Sequence, residues 1–219
     1  MIPATFDYER PESLGDAIAA LDRHGDDAKL LAGGHSLLPL MKLRLATPAV
    51  LVDIGRLRDL SYIREEGSEV RIGALTRHAD VELSDRVKQQ LPLLARVASQ
   101  VGDPQVRHRG TIGGSIAHGD PASDLPAALL ALRGTVVVAG PGGERTIPAD
   151  EFFTGFLETA LAPNEVLTEL RFPATGAAGW SFQKFNRRAQ DWAIVGVAAV
   201  LTNGSSGPGI ALVNMGSTP

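Results

Sequence analysis

The sequence predicts an α+β fold, and three observations predict it. A helix near the N-terminus runs into a strand–helix–strand unit. The middle of the chain carries paired short strands and then apolar-periodic helices. The last part returns to strands. With 219 residues there is room for one large domain or two small ones, and 44% hydrophobic with 21% charged residues allow a core of real size.

Each element has a local reason. Ser13 is placed to cap a helix with Asp16 three residues on; Leu14, Ala17, Ile18 and Leu21 form its apolar stripe and Gly25 ends it. Ala28 to Ala32 reads as a short buried strand and Gly33-Gly34-His35 as a turn. Ser36 then caps a helix with apolar face Leu37, Leu40, Met41 and Leu45 and with Pro39 in its first turn. Val50 to Ile54 is a second strand, parallel to the first. Tyr62 to Arg64 and Val70 to Ile72 pair around Glu66-Gly67, and Thr76 opens a helical stretch. A longer helix is expected from about Lys88 to Val101, with Asp103-Pro104 breaking it. A glycine-rich stretch, Thr111 to Asp124, leads into a helix from Leu125 to Leu132. Thr135 to Ala139, Val166 to Phe172 and Ser181 to Phe185 are strands, with a turn at Pro141-Gly142-Gly143. Ala193 to Leu201 and Ile210 to Met215 read as two strands joined through Asn203 to Gly207, a hairpin marginal by itself. Because Pro219 follows so closely, further sequence is expected beyond it.

Composition excludes several functions. A net charge of −4 gives no broad attraction for nucleic acid. The absence of cysteine excludes disulfides, thiolate nucleophiles and Cys-ligated zinc or iron–sulfur clusters within the chain, so any electrons must travel on an organic cofactor. It also fits a cytosolic protein. Met1 to Leu14 lacks the apolar core of a signal peptide, and the apolar run Ala193 to Leu201 is far short of the roughly 20 residues a membrane helix needs.

Three segments carry chemistry. In Leu30-Leu31-Ala32-Gly33-Gly34-His35-Ser36-Leu37 a strand meets paired glycines and a helix start. Lack of Cβ lets an anion approach the backbone, and the helix N-terminus offers unpaired N–H groups and partial positive charge. A tight turn without a ligand explains the same residues equally well. Thr111-Ile112-Gly113-Gly114-Ser115 repeats the pairing with flanking hydroxyls. Downstream, Asp120 and Asp124 are acceptors for ribose hydroxyls or cofactor amines; taken alone, Asp124 reads first as the N-cap of the next helix. Two such bends suit one extended anionic ligand, a dinucleotide. In the third segment, Phe182 to Trp192, Lys184, Arg187 and Arg188 are placed to meet phosphate or an electron-rich ring. A solvated basic turn with Trp192 packed on the core is the plainer reading of the arginines.

No Rossmann G-x-G-x-x-G, P-loop, H-E-x-x-H or G-x-S-x-G is present, and His24, His35, His78, His108 and His118 lack metal-ligand spacing. His118, Asp120 and Ser115 lie too close in sequence for a hydrolytic triad.

Together, Ala32-Gly33-Gly34-His35-Ser36-Leu37-Leu38-Pro39-Leu40-Met41-Lys42-Leu43-Arg44, then Thr111-Ile112-Gly113-Gly114 and Asp120-Pro121-Ala122-Ser123-Asp124, closely resemble the FAD-binding medium subunit of the carbon monoxide dehydrogenase and xanthine dehydrogenase (molybdenum hydroxylase) family. The two motifs, about 80 positions apart and in this order, are specific together, and the resemblance covers essentially the whole chain. It implies a two-subdomain FAD-binding fold of the vanillyl-alcohol-oxidase type. Residues 1–57 would form a small α/β subdomain and 58–175 a larger α+β one. Residues 176–219 would be the end of the FAD domain and the first strands of a C-terminal α/β domain.

The resemblance further implies a molybdopterin-containing large subunit and a small subunit with two [2Fe–2S] clusters as partners, in a heterotrimer or a dimer of heterotrimers. Electrons would pass from the clusters through FAD to a quinone or NAD. The location implied is the cytoplasm or the inner face of the membrane. Residues 30–37 and Thr111 to Ser115 would bind the pyrophosphate and adjoining FAD atoms. Asp124 would meet the cofactor's polar edge, Leu161 would pack near the flavin and Lys184 would sit by ring or phosphates. Asp191 and Trp192 match the segment near the isoalloxazine. Ser115 stands where Asn is more usual and keeps a hydroxyl donor. Two other readings remain open: a stand-alone FAD oxidase of the same fold, and a non-catalytic nucleotide-binding module.

Overall fold

In the computed structural model, residues 2–201 and 207–219 are described. The N-terminal part places strand β1 (Asp7–Glu9), helix α1 (Leu14–His24), strand β2 (Ala28–Leu31), helix α2 (Leu37–Lys42) and strand β3 (Val50–Asp53). Ser13 caps α1 by accepting from the Asp16 amide (3.1 Å). The sheet is all parallel, in the order β1-β3-β2. Strand β1 escaped the sequence reading because Asp7-Tyr8-Glu9 has no apolar pattern. Two details of α2 differ from expectation. Ser36 makes no side-chain cap bond, since its own backbone is already helical (φ −99°, ψ −51°). The helix also stops at Lys42, which leaves Leu45 outside the apolar face and 73% exposed. The core of this layer, from Ala17 and Leu21 to Val52 and Ile54, continues into Leu75 and Val166 of the next layer.

The larger part is a five-stranded antiparallel sheet in the order β4-β5-β10-β6-β7, backed by helices. Its elements are β4 (Ile63–Glu66), β5 (Glu69–Gly73), α3 (His78–Leu83), α4 (Asp85–Gln90), α5 (Pro92–Ser99), α6 (Pro104–Arg107), α7 (Ile112–His118), α8 (Asp124–Ala131), β6 (Thr135–Gly140), β7 (Gly143–Pro148), α9 (Ala149–Phe152), the short pair β8 (Phe153–Gly155) and β9 (Glu158–Thr159), and β10 (Val166–Pro173). Arg77, not Thr76, precedes α3. The long helix expected over 88–101 is two helices, because Pro92 has no amide to donate and Leu91 leaves helical geometry (φ −137°, ψ 58°). Asp103-Pro104 does not merely break a helix; Asp103 caps α6 by accepting from the Val106 amide (2.9 Å). The glycine-rich stretch is itself helical: Thr111 caps α7, and Gly119 ends it in the left-handed region (φ 65°).

A third sheet, β11 (Trp180–Phe185), β12 (Val195–Val200) and β13 (Gly209–Val213), closes the described chain. The expected lone hairpin is thus the edge of three strands. The link from Asn203 to Ser206 lies outside the described residues. Phe182, Ala198, Val200, Ala211 and Val213 point into the same core as α5 and α8. The opposite face carries Phe185, Ile210 and Leu212, all exposed. Close approach to α8 requires Gly209, where an added Cβ would overlap the Ala131 carbonyl oxygen. Gly209→Ala is therefore expected to cost about 2 kcal/mol. An unaltered urea midpoint would contradict this.

Candidate functional site

Parallel strands β2 and β3 end side by side, and the Ile54 amide bonds the Leu31 carbonyl (3.0 Å). The chain after β2 has to turn there into α2. Gly34 takes a positive φ of 78°, open to glycine at little cost. Gly33 serves a different purpose. An added Cβ would collide with the Arg109 carbonyl oxygen and lie 2.8 Å from Gly110 Cα. The first glycine bend is thus packed directly against the backbone that leads into the second.

Both bends line one cavity of about 700 Å³, in the size range of cofactor pockets. Leu30, Leu31, Ala32, Gly33, Gly34, His35, Ser36 and Leu37 line it, as do Thr111, Gly113, Gly114, Ser115, Asp124, Leu161, Lys184, Asp191 and Trp192. Ile112 does not; it is turned into the core. Asp120 is also elsewhere, with Oδ1 accepting from the Ala122 amide (2.8 Å). Arg187 and Arg188 lie outside the lining and are exposed. Trp192 is not packed on the core but stands 60% exposed at the cavity.

The two bends differ in what they offer. At the first, the amides of Gly34, His35 and Ser36 donate to no described residue, so they are free for an anion. At the second, the amides are already engaged. Ile112 N donates to Thr76 O (2.9 Å), Gly113 N to Ala74 O (2.9 Å) and Gly114 N to Thr111 Oγ1 (3.2 Å). What remains there is the Thr111 hydroxyl proton and the open face of Gly114. The Ser115 hydroxyl pairs with Ser123 (2.8 Å), not with His118.

Deeper in, Lys184 Nζ donates to Asp124 Oδ2 (2.7 Å) and to the Gln100 carbonyl (3.2 Å). Their side chains are only 5% and 6% exposed. Asp124 is therefore an ion-pair partner, not a cap; Ser123 holds the cap position. Burial raises the Asp124 pKa, and Lys184 opposes that rise. Asp124 Oδ1 has no hydrogen-bond partner among the described residues. A flavin dinucleotide fits these donors and acceptors: amides for a diphosphate, and a carboxylate with one oxygen unmatched on the wall of the cavity.

Sequence reasoning missed Gly110 and His78, which also line the cavity. His78 donates its amide to Gly110 O (3.0 Å), and only a glycine at 110 leaves room for the imidazole, 2.7 Å from where a Cβ would stand. No motif marks His78; its place follows from the pairing of Arg77 with Thr111. Burial lowers its pKa to about 4, with His35 and Arg107 adding repulsion. The unfolded chain takes up this proton near pH 6.5, whereas the folded chain resists until about 4. Stability is therefore expected to fall as pH drops through that window, by about 3 kcal/mol. Melting temperature against pH, compared with His78→Gln, checks this; equal slopes would refute it.

A strand–turn–helix anion cradle joined to a second glycine bend across one long cavity defines a dinucleotide-binding protein. Residues 4–175 match the family described as FAD binding domain in molybdopterin dehydrogenase, and the chain belongs to that family. It is 51% identical over 222 residues to the carbon monoxide dehydrogenase medium chain of Hydrogenophaga pseudoflava, covering 100% of this chain and 77% of the relative. Identity to the same-named chain of Afipia carboxidovorans is 43% over 224 residues, with the same coverage. The solved carbon monoxide dehydrogenase of Hydrogenophaga pseudoflava, in a form lacking the Mo-pyranopterin moiety, superposes with a TM-score of 0.96 at 52% identity, over 100% of this chain and 77% of that one. The cofactor of the family is FAD, and its chains are subunits of oxidoreductases.

Proposed function

We propose that this chain is the electron-transfer flavoprotein subunit of a molybdenum hydroxylase of the carbon monoxide dehydrogenase type. It would receive electrons from [2Fe–2S] clusters of a small partner subunit and pass them to a quinone or NAD. A molybdopterin-containing large subunit completes the complex, in the cytoplasm. What supports this most is the contact of Gly33 with Arg109 and Gly110, which joins the two bends along one cavity. FAD, when bound, supplies the reversible electron uptake.

The residues of this chain do the holding. The free amides at Gly34, His35 and Ser36 face the diphosphate, and Thr111 donates its hydroxyl. Asp124 accepts from the cofactor's polar edge, and Lys184 keeps that carboxylate charged and oriented. Leu161 and Trp192 exclude water from the ring. Residues 1–57 and 58–175 would be the two halves of the clamp, with 176–219 leading into a C-terminal domain. The relatives' greater length fits that division.

Purification with the neighbouring reading frames co-expressed is the test. The expected product is a yellow complex that contains cysteine-rich and molybdenum-containing chains and whose flavin bleaches with reductant. A colourless chain that recruits neither partner would overturn the proposal.

A further inference from the structure

We infer that a hollow adjoining the dinucleotide cavity is a second anion site, built by Arg56, Arg58 and Arg77 and suited to a small phosphate-bearing molecule. The three side chains line one concavity of about 570 Å³, with Ser61 and Leu75 among its other walls and no carboxylate in the lining. None of the three guanidinium groups has a hydrogen-bond or ion-pair partner among the described residues. Some other arginines meet acids: Arg64 and Arg171 meet Glu169, Arg107 meets Glu82, and Arg145 meets Glu165, whereas exposed Arg187 and Arg188 have no acid partner among the described residues. The nearby acid Asp53 is engaged, accepting from the Tyr8 hydroxyl (2.5 Å) and the Gly55 amide (2.8 Å). Asp59, beside Arg58, is exposed and lies outside the lining.

The scaffold beneath the cations is fixed. Leu57 N bonds Ile54 O (3.0 Å), Ser61 N bonds Arg58 O (3.0 Å) and Leu75 N bonds Leu60 O (2.8 Å). Arg77 is held by its bridge to Thr111. The site also sits just past the carboxyl end of β3, where parallel sheets leave room for ligands. Like charges gathered in one hollow repel unless an anion joins them, and in a chain of net charge −4 they are not part of a general basic surface. Guanidinium groups bind phosphate and carboxylate through paired N–H bonds. Arg56, Arg58 and Arg77 are exposed on this one hollow, and three guanidinium groups there favour phosphate, whose tetrahedral oxygens point in several directions, over a planar carboxylate. Leu75 lines both hollows, so the second site adjoins the first.

The test uses the protein purified with its flavin, with FAD added in excess so that the first cavity is filled. Inorganic pyrophosphate is titrated by calorimetry at low salt, and citrate is the carboxylate control. One equivalent of pyrophosphate should bind with a sub-millimolar Kd that weakens as salt rises. The triple variant Arg56→Ala, Arg58→Ala, Arg77→Ala should keep its flavin content and melting temperature and bind about 30-fold more weakly. Flavin content reports on the first cavity separately, so failure there and failure here are told apart. No saturable heat in the parent protein, unchanged affinity in the triple variant, or tighter binding of citrate would each overturn the inference.

Discussion

Gly33→Val is expected to strip the purified protein of flavin. Its Cβ would meet the backbone of Arg109 and Gly110, which cannot yield as a flexible side chain would. Relief requires the two bends to part, and that opens the wall of the cavity they share. An affinity loss of at least roughly 100-fold, about 3 kcal/mol, follows from overpacking of that kind. Gly114→Val provides the comparison. Its Cβ meets only Thr111 Oγ1, at 2.8 Å, and Gly114 is exposed on the cavity side. That variant should stay folded, losing at most the Thr111 cap of α7, and still reject the cofactor, because its methyl groups would stand where the proposed diphosphate approaches. Absorbance of the purified proteins and fluorescence titration with FAD check both: normal flavin content in Gly33→Val would refute the shared-wall argument, and in Gly114→Val the phosphate-approach argument.

Lys184→Met should be the most damaging single change to stability near the site. It leaves Asp124 buried without its cation, and breaking a buried pair from one side costs about 3 kcal/mol or more. In a chain of this length that lowers the melting temperature by roughly 10 °C. The defect carries a signature in pH. Burial already raises the Asp124 pKa, and without Lys184 nothing opposes the rise. A carboxyl whose folded pKa is raised favours the folded state at low pH and loses that contribution as pH rises through the folded value. The variant should therefore regain stability on acidification from neutral pH, and Asp124→Asn in the same chain should restore much of the loss at pH 7. A melting temperature that stays low in the double variant would show that the pair is not the cause.

The elements with clear periodicity were legible in the sequence: α1 with its Ser13 cap, the parallel pair β2 and β3, and strands β4, β5, β6 and β10 of the central sheet, though not its edge strand β7. Strand β1 was not, because its pairing comes from β3 and not from its own residues. Nor was α7, where two glycines concealed a helix that Thr111 caps and Ala74 packs against; a Cβ on Gly113 would lie 2.5 Å from that of Ala74. At the site, the glycine bends were marked by their composition, Lys184 by its charge in the Phe182 to Trp192 segment, and Leu161, Asp191 and Trp192 by resemblance. Long-range contacts carry the remainder. That Asp124 bonds Lys184 across 60 positions, and that His78 needs a glycine at 110, are properties of the folded backbone with no local signature.

The touch of Gly33 on Arg109 has a kinetic consequence. Those residues are separated by a segment holding three of the five strands laid down by then, β3, β4 and β5, and five helices, α2 to α6. Closing so long a segment is entropically uphill until the surrounding sheets exist. The cavity is accordingly among the last features to mature, and a cofactor that bridges both bends acts as a late latch. Refolding with FAD present should leave the early phases alone and chiefly slow the reopening of the finished protein.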